Sequence, residues 1–386
     1  MPIPNSTYLK SISKMIFKRI FYKFITFVKS YRETSFKNKE VNNLLNTHKT
    51  TPLSPKTKIA IKNKLSKYGF KNINTNWHRY YSSFHNNLDT TTITKFIPEN
   101  LFYNEIEPAL NQSIMFPALE DKNLLDKFLF PSLLPNTIVK NINGFFYINN
   151  QLTTLEEAIA HSCKFKEFVI KPSIGTYGGR DVNKVELDKI ENKNESLAKL
   201  FHEYDSDFIV QEIIAQNTLI STLNPSSLNT IRVISYLRSN RQVVPLSSVI
   251  RIGRMGQFTD NQTSNGILAG IDSEGKLKKF AYDKNAHSYE TTDNGTRIEG
   301  FQVPFFNKIL TTIQNQHLNL PHFRLVSWDV GIDCDSNIKI IEFNAIGQGI
   351  QFHQTINGPL FGEFTDEVLE ISKKYSSLDS YIKFGK

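Results

Sequence analysis

The chain has 386 residues, of which 39% are hydrophobic and 12% aromatic, a composition typical of a globular protein with a sizeable core. Its net charge of +9 is concentrated in the first 80 residues, which indicates a basic N-terminal arm and argues against nucleic-acid binding. No apolar run reaches ~18 residues, so we expect no transmembrane helix. Cys163 and Cys334 lie far apart without metal-type spacing, which is typical of a cytoplasmic protein.

Residues 16–29 predict a basic amphipathic helix. At about 100° per residue, their apolar side chains gather on one half of the helix. Four cationic side chains interrupt the apolar stretch, which argues against a signal peptide. Such a helix can lie on an anionic membrane surface, which would give a peripheral membrane contact through residues 12–30 at the inner face of the cell membrane. The alternative is that it packs on the main domain with its lysines in solvent.

A change in amino-acid composition near residue 96 predicts the domain organisation. Residues 1–95 are basic and polar, and we expect them to be mostly helical, with helices over 56–68 and 77–84. Residues 96–376 predict one globular domain, in which 96–165 precede a glycine-loop lobe (166–214) and a second lobe (215–376). Asp121 is a predicted N-cap for a helix that ends near Phe130.

The elements of this domain alternate irregularly between strands and helices. Asn141-Ile-Asn-Gly144 predicts a β-hairpin, and Thr154-Leu-Glu-Glu157 predicts the capping box of a helix. Further predicted strands span 208–214, 229–237, 242–252, 323–332 and 337–343, with helices over 305–318 and 365–375. A long polar loop covers 253–266. Without strict βαβ alternation, this order predicts an α+β fold with large mixed sheets.

One glycine-rich stretch suggests phosphate binding. Phe168-Val-Ile-Lys171 reads as a short strand, followed by three glycines within five residues and two hydroxyls: Ser173, Gly175, Thr176, Gly178 and Gly179. Glycines let backbone N–H groups approach a phosphate closely, and Lys171 adds a positive charge. The spacing fits neither a P-loop nor a dinucleotide fingerprint. A plain hairpin turn remains the alternative.

A set of oxygen ligands lies near the C-terminus. Glu342 and Asn344 are two residues apart on one predicted strand, so they point to the same face. Asp329 on the neighbouring strand can converge with them. Two carboxylates and an amide oxygen suit Mg²⁺, which binds carboxylates together with substrate phosphates. The alternative is a half-exposed sheet with surface-facing acids.

Together these parts resemble the ATP-grasp family over roughly residues 115–360. The resemblance implies two α+β lobes that sandwich Mg-ATP, with a mostly helical N-terminal extension. It implies phosphate contacts from Lys122 and Lys171, with Ser173 to Gly179 as the covering loop. It further implies adenine binding by the hinge segment that contains Gln211, Glu212 and Ile214. Lys171, Arg251 and Arg232 are the predicted catalytic residues, and the predicted ligands of two Mg²⁺ are Asp329, Glu342 and Asn344.

Within that family the chain looks similar to the sugar-transfer-associated ATP-grasp group. This rests on three stretches: Leu223 to Arg232, Asp260 to Asp272, and Gly300 to Val303-Pro304. The resemblance implies an ATP-dependent carboxylate–amine ligase that acts on a sugar acid or glycan precursor in surface-polysaccharide synthesis. Arg232 is a candidate for a substrate contact or a structural ion pair, and Asn229 and Asn261 are candidates to orient polar groups. Asn344 is followed by Ala-Ile-Gly rather than Pro-Gly, which leaves the class of acceptor open. A kinase remains an alternative because the resembling fold can also phosphorylate a hydroxyl or a phosphate, and a non-catalytic ATP-binding scaffold is a second alternative.

Overall fold

The computed structural model describes residues 6–175, 179–261 and 264–374, apart from the side chains of 6–16, 18–20, 22–23 and 26–27. The chain divides into two compact units. One contains residues 1–114 and 349–386, and the other contains residues 115–348. None of the described helices combines the length and apolar content that spanning a bilayer would require. The predicted domain boundaries (1–95 and 96–376) stay a prediction.

The first unit is helical. Its helices are α1 (Ser6–Thr47), α2 (Pro55–Lys67), α3 (Asn76–Ser82), α4 (Thr90–Ile93), α5 (Glu99–Leu101), α6 (Glu107–Leu110), and, after the second unit, α12 (Ile350–Asn357) and α13 (Thr365–Lys374). A wider helical turn, Phe102–Ile106, joins α5 to α6. Val41 of α1 packs in an aromatic cluster with Trp77 and Tyr80. α1 is much longer than the predicted 16–29 segment, because no Gly or Pro interrupts residues 6–47.

The second unit contains two sheets. Strands β1 (Thr137–Ile142), β2 (Phe145–Ile148), β3 (Gln151–Thr153), β4 (Glu167–Pro172), β5 (Asn183–Glu186) and β6 (Phe208–Gln211) form a six-stranded sheet in the order β3-β2-β1-β6-β4-β5. Helices α8 (Leu155–Ser162) and α9 (Lys193–Tyr204) belong to the same part of the chain, and Ile159, Leu197 and Phe201 share a core with the strands. The capping box at Thr154 is confirmed.

The larger sheet has seven strands. β7 (Ile231–Leu237), β8 (Val243–Ile252), β9 (Ile267–Ile271), β10 (Leu277–Tyr282), β11 (Ser288–Tyr289), β12 (Leu325–Ile332) and β13 (Ile338–Asn344) lie in the order β11-β10-β9-β8-β7-β12-β13. The other helices of this unit are α7 (Phe116–Leu119), α10 (Thr218–Ser221) and α11 (Phe306–His317). Ile309 and Ile313 of α11 lie in the core with Trp328 of β12.

The α+β fold is confirmed, whereas the prediction of mixed sheets is wrong. Every pairing among the described strands is antiparallel. Hydrophobic patterns predict strands but not their directions, which depend on how the connections cross the sheet. The predicted helix after Asp121 is also wrong in type. Asp121 does cap it, but the segment is a 3₁₀ turn over Lys122–Lys127.

Candidate active site

A cavity of about 380 Å³ lies within the second unit, lined by residues of both sheets. Val169, Lys171 and Gln211 line it from the six-stranded sheet, and Arg251, Asp329 and Glu342 from the seven-stranded sheet. This volume falls in the range of pockets for small molecules and cofactors. The two groups of predicted site residues, more than 150 positions apart at Lys171 and Asp329, are therefore brought to one place.

The two lysines are neighbours in the cavity. The backbone N–H of Lys122 donates to the carbonyl oxygen of Ser173 at 3.0 Å, which ties the 3₁₀ turn to the end of β4. Lys122 Nζ lies 3.2 Å from Glu342 Oε2. Burial, aided by the positive charge of Lys122, lowers the pKa of Lys171 to about 8, with Glu342 opposing the shift. A buried ammonium beside a second cation would gain from an anionic ligand.

Asp329 is held by two guanidinium groups. Arg232 Nε donates to Asp329 Oδ1 and Arg232 Nη2 to Oδ2, both at 2.7 Å, and Arg251 Nη2 donates to Oδ2 at 2.9 Å. Burial raises the pKa of the Asp329 carboxyl, but Arg232 and Arg251 outweigh it and hold that pKa below its ordinary value. Among the described residues, Arg232 does not line the cavity. It forms an ion pair with Asp329, which agrees with the second of its two predicted roles, a structural ion pair.

Arg251 connects the Arg232–Asp329 ion pair, through Thr230, to a second buried acid, Asp260. Its Nε donates to Thr230 Oγ1 at 2.9 Å and its Nη1 to Asn261 Oδ1 at 3.3 Å. The N–H of Thr230 donates to Asp260 Oδ2 at 2.8 Å, and the Thr230 hydroxyl donates to the same oxygen. Burial raises the pKa of Asp260, although Arg251 opposes the shift. The cavity thus contains an arginine whose orientation is fixed by three partners.

Sequence reasoning missed Asp260 as a site residue. It lines the cavity, yet in the sequence it is one acid within the long polar loop 253–266. The signal in the sequence that could have indicated Asp260 was the adjacent Asn261, a predicted site residue that also lines the cavity. Asn229, in contrast, uses its amide within its own loop, where Nδ2 donates to the Asn224 carbonyl oxygen at 2.8 Å. Its predicted contact with substrate stays a prediction.

The glycine-rich stretch is described only at its two ends. Ser173 is buried, and its Oγ has no hydrogen-bond partner among the described residues. Gly175 and Gly179 have φ values of +72° and +71°, which side-chain-bearing residues rarely adopt. Gly179 lines the cavity, whereas Gly175 is exposed. Thr176 and Gly178 lie outside the described residues.

A matched pair of glycine variants tests whether the Gly179 end matters to the site. A Cβ at position 179 would lie 2.0 Å from Asn261 Nδ2, while a Cβ at 175 would meet none of the described residues within 4 Å. The two positions have nearly the same φ, but Gly179→Ala also forces a shift of the Asn261 side chain, whose Oδ1 accepts from Arg251. If the cavity binds ATP, as the resemblance implies, Gly179→Ala should weaken that binding roughly tenfold more than Gly175→Ala, about 1.4 kcal/mol. Calorimetric titration measures both, and equal affinities in the two variants would contradict the role of this contact.

The predicted adenine-binding segment follows β6. That strand ends at Gln211, three residues earlier than predicted, because residues 212–215 leave the sheet and line the cavity. Gln211 Nε2 lies 3.5 Å from Thr137 Oγ1. The N–H of Glu212 is already used, since it donates to the Asn136 carbonyl oxygen at 2.9 Å. Ile214 lies in the lining and contributes apolar surface.

The acidic residues fit a magnesium ion in part. Asp329 and Glu342 face each other across β12 and β13, and both line the cavity. Their oxygens are of the type that Mg²⁺ binds together with phosphate oxygens. Asn344 pairs with Ser327 in the register and lies outside the cavity lining, with its Nδ2 buried and unpaired among the described residues. Within the described ranges, no three His, Cys, Asp or Glu side chains are arranged to hold a metal ion by themselves.

The two antiparallel sheets and the cavity that both line belong to the same compact unit of the chain. Residues 101–368, more than half of the chain, match the family described as sugar-transfer associated ATP-grasp. The chain belongs to the sugar-transfer associated ATP-grasp family. No curated protein sequence matches it.

Solved structures similar to this chain include an ATP-grasp ligase, a synthetase and a carboxylase. The ATP-grasp ligase PsnB, complexed with a minimal precursor, is 14% identical over 66% of this chain and 61% of its own, with a TM-score of 0.36. D-alanyl-alanine synthetase A from Vibrio cholerae is 15% identical over 67% and 66%, with a TM-score of 0.40. Biotin carboxylase from Campylobacter jejuni is 12% identical over 67% and 47%, with a TM-score of 0.40. The chain spans about three fifths of the PsnB chain.

Proposed function

We propose that this chain is an ATP-dependent carboxylate–amine ligase that forms an amide through an acyl phosphate. The observation that carries the proposal is the cavity, in which Lys122, Lys171 and Arg251 meet the carboxylates of Asp329 and Glu342. Phosphoryl transfer depends mainly on positioning and on neutralising charge, and these cations supply both. The description of the family as sugar-transfer associated supports a sugar acid or glycan precursor of surface polysaccharide as substrate.

The reaction has two balanced steps. A carboxylate oxygen of the substrate attacks the γ-phosphorus of ATP, the bond to the β,γ-bridging oxygen breaks, and ADP leaves with an acyl phosphate formed. An amine nitrogen then attacks the acyl carbon, phosphate leaves, and the nitrogen loses a proton to give the amide. The first step needs no general base, because a carboxylate is already ionised at neutral pH.

Each cation has a defined part in this scheme. A bound phosphate would stabilise the charged form of Lys171 most, because this ammonium is buried beside Lys122. Arg251 is held by Thr230, Asn261 and Asp329, so its guanidinium needs little reorganisation to stabilise the transferred phosphate. Asp329 and Glu342 would hold Mg²⁺, and we propose two such ions. When bound, these ions would further neutralise the charge of the phosphates. We place the reaction in the cytoplasm, at the inner face of the membrane.

An ADP-release screen tests this proposal. The purified chain is supplied with ATP, Mg²⁺, nucleotide-linked uronic acids as carboxylates and amino acids as amines, and product masses are measured. We expect ADP release that requires both a carboxylate and an amine, and its loss in Glu342→Gln and Lys171→Met. ATP binding without turnover across all substrate pairs would favour the scaffold alternative. ADP formation with a hydroxyl acceptor and no amine would favour a kinase.

Asp260 is the specific observation in favour of the kinase alternative. A kinase needs a group to take the proton of the acceptor hydroxyl, and Asp260 is a buried carboxylate in the cavity lining. Its hydrogen bonds from Thr230 both end on Oδ2, so Oδ1 is not used by them. Asp260→Asn should reduce a kinase about 10²–10⁴-fold. A ligase should lose less than about tenfold in ADP formation, since its carboxylate needs no base. The size of that loss separates the two functions.

A further inference from the structure

The first half of α1 exposes large apolar side chains. Phe17, Phe21, Phe24 and Ile25 are 71%, 52%, 63% and 43% exposed. At about 100° per residue, these positions fall within an arc of about 100° on one side of the helix. Scattered exposed hydrophobic residues are ordinary, but a continuous stripe on one helix face indicates a binding surface.

The last third of the same helix is packed within its own unit. Val41 is fully buried, and Lys37 Nζ lies 2.9 Å from Glu40 Oε2 and 3.6 Å from the buried Glu99 Oε2. Asn104 Nδ2 donates to Thr34 Oγ1 at 3.1 Å. The C-terminal end of α1 is therefore anchored, whereas Phe17, Phe24 and Ile25 in its first half are exposed.

The charge of this segment selects the kind of partner. Residues 1–32 contain no Asp or Glu, and their cationic residues are Lys10, Lys14, Lys18, Arg19, Lys23, Lys29 and Arg32. A second copy of the helix would place the same positive charges next to these cationic residues, and the two copies would repel each other. Nucleic acid would satisfy the charge but offers little apolar surface for three phenylalanines. Anionic lipid satisfies both, since its headgroups attract Lys and Arg while the acyl boundary takes up the apolar stripe.

We propose that residues 12–30 of α1 bind the surface of an anionic membrane, with the Phe17–Ile25 stripe inserted at the acyl boundary. The helix lies in the plane of the interface. α1 has 42 residues and is about 63 Å long. The anchored end near Lys37 then holds the rest of the protein close to the membrane surface.

Vesicle flotation of the full chain tests this proposal. Wild type should float with vesicles of phosphatidylglycerol and phosphatidylcholine but not with phosphatidylcholine alone, and raising the salt should reduce binding because charges are screened. The double variant Phe17→Ser/Phe24→Ser should bind at least tenfold more weakly, since each phenylalanine side chain buries apolar surface. The matched control is Phe145→Ser/Leu152→Ser, at positions 57% and 66% exposed on β2 and β3, which should bind as wild type does.

Three results would overturn the proposal. The first is no flotation of wild type with anionic vesicles, and the second is equal binding by the Phe17→Ser/Phe24→Ser variant. The third is an equal loss of flotation in both double variants. That result would show that binding depends on the total exposed apolar surface and not on the α1 stripe. If wild type fails to float yet sediments as a dimer that only the α1 variant loses, the stripe is an interface between copies. Circular dichroism should show unchanged folding of both variants, because all four positions are exposed.

Discussion

Replacing Asp329 with asparagine is expected to destabilise the protein by about 3–5 kcal/mol, because Arg232 and Arg251 lose their shared carboxylate in a buried site. For a unit of this size, that loss corresponds to a fall of about 6–20 °C in Tm. Turnover should also fall, since Arg251 loses one of its three partners and the proposed magnesium site loses a carboxylate. Thermal unfolding measured by calorimetry and ADP release together check both effects.

Glu342→Gln is the matched control for this change. Glu342 faces Asp329 across the strands, but its ion pair with Lys122 is 3.2 Å long and its side chain is 30% exposed. We therefore expect a stability loss of under about 1 kcal/mol together with lost turnover. A Tm for Asp329→Asn within the error of wild type would contradict the arginine network.

The pH dependence of stability gives an independent check on Asp329. The folded protein holds the pKa of this carboxyl below its ordinary value. Its contribution is therefore fully present above the ordinary carboxyl pKa of about 4 and is lost as the pH falls below it. Acid should narrow the Tm difference between wild type and Asp329→Asn. A constant difference down to pH 2 would be evidence against the ion pairs.

Lys171→Met is expected to weaken ATP binding by roughly 10–150-fold and, at pH 7, to raise Tm. The loss of affinity follows from removing a charged hydrogen bond to phosphate, about 1.5–3 kcal/mol. The gain in stability follows because the folded pKa of Lys171 is about 8, below its ordinary value of about 10.4. Burying this charge therefore costs stability at pH 7, and methionine removes that cost while nearly keeping the shape.

The sign of the pH dependence follows from the same shift. Between the two pKa values the unfolded chain holds a proton that folded Lys171 has lost, so wild-type stability should rise with pH across that window. Binding of ATP should weaken over the same range, because a neutral amine no longer attracts phosphate. The methionine variant should lack both dependences, as measured by calorimetric titration and thermal unfolding at several pH values.

Lys184→Met provides the control for lysine removal. Lys184 also lines the cavity, but its side chain is 34% exposed and its ammonium lies 2.8 Å from Glu167 and 3.2 Å from Glu186. Its loss should change ATP affinity less than about threefold. If Lys171→Met instead lowered Tm and bound ATP as wild type does, Lys171 would be a structural lysine.

Local features of this protein could be predicted from the sequence because they involve residues close together along the chain. Asn143-Gly144 forms the turn between β1 and β2, with positive φ at both residues, as the dipeptide predicts. The capping box joins residues three apart. Lys171 and Glu342, which both line the cavity, were predicted as site residues because a charge in an apolar strand is conspicuous.

Tertiary structure alone decided how these elements meet. Asp329 accepts from Arg232, 97 positions away, because β7 and β12 are paired in the register that places these residues opposite each other. A shift of one residue would turn both side chains to the other face, and no local pattern specifies that register. The role of Asp260 likewise depends on a loop folding back onto Thr230. The sequence by itself determined the family and the main charged residues, and the pairing of distant strands decided which of those residues share the cavity.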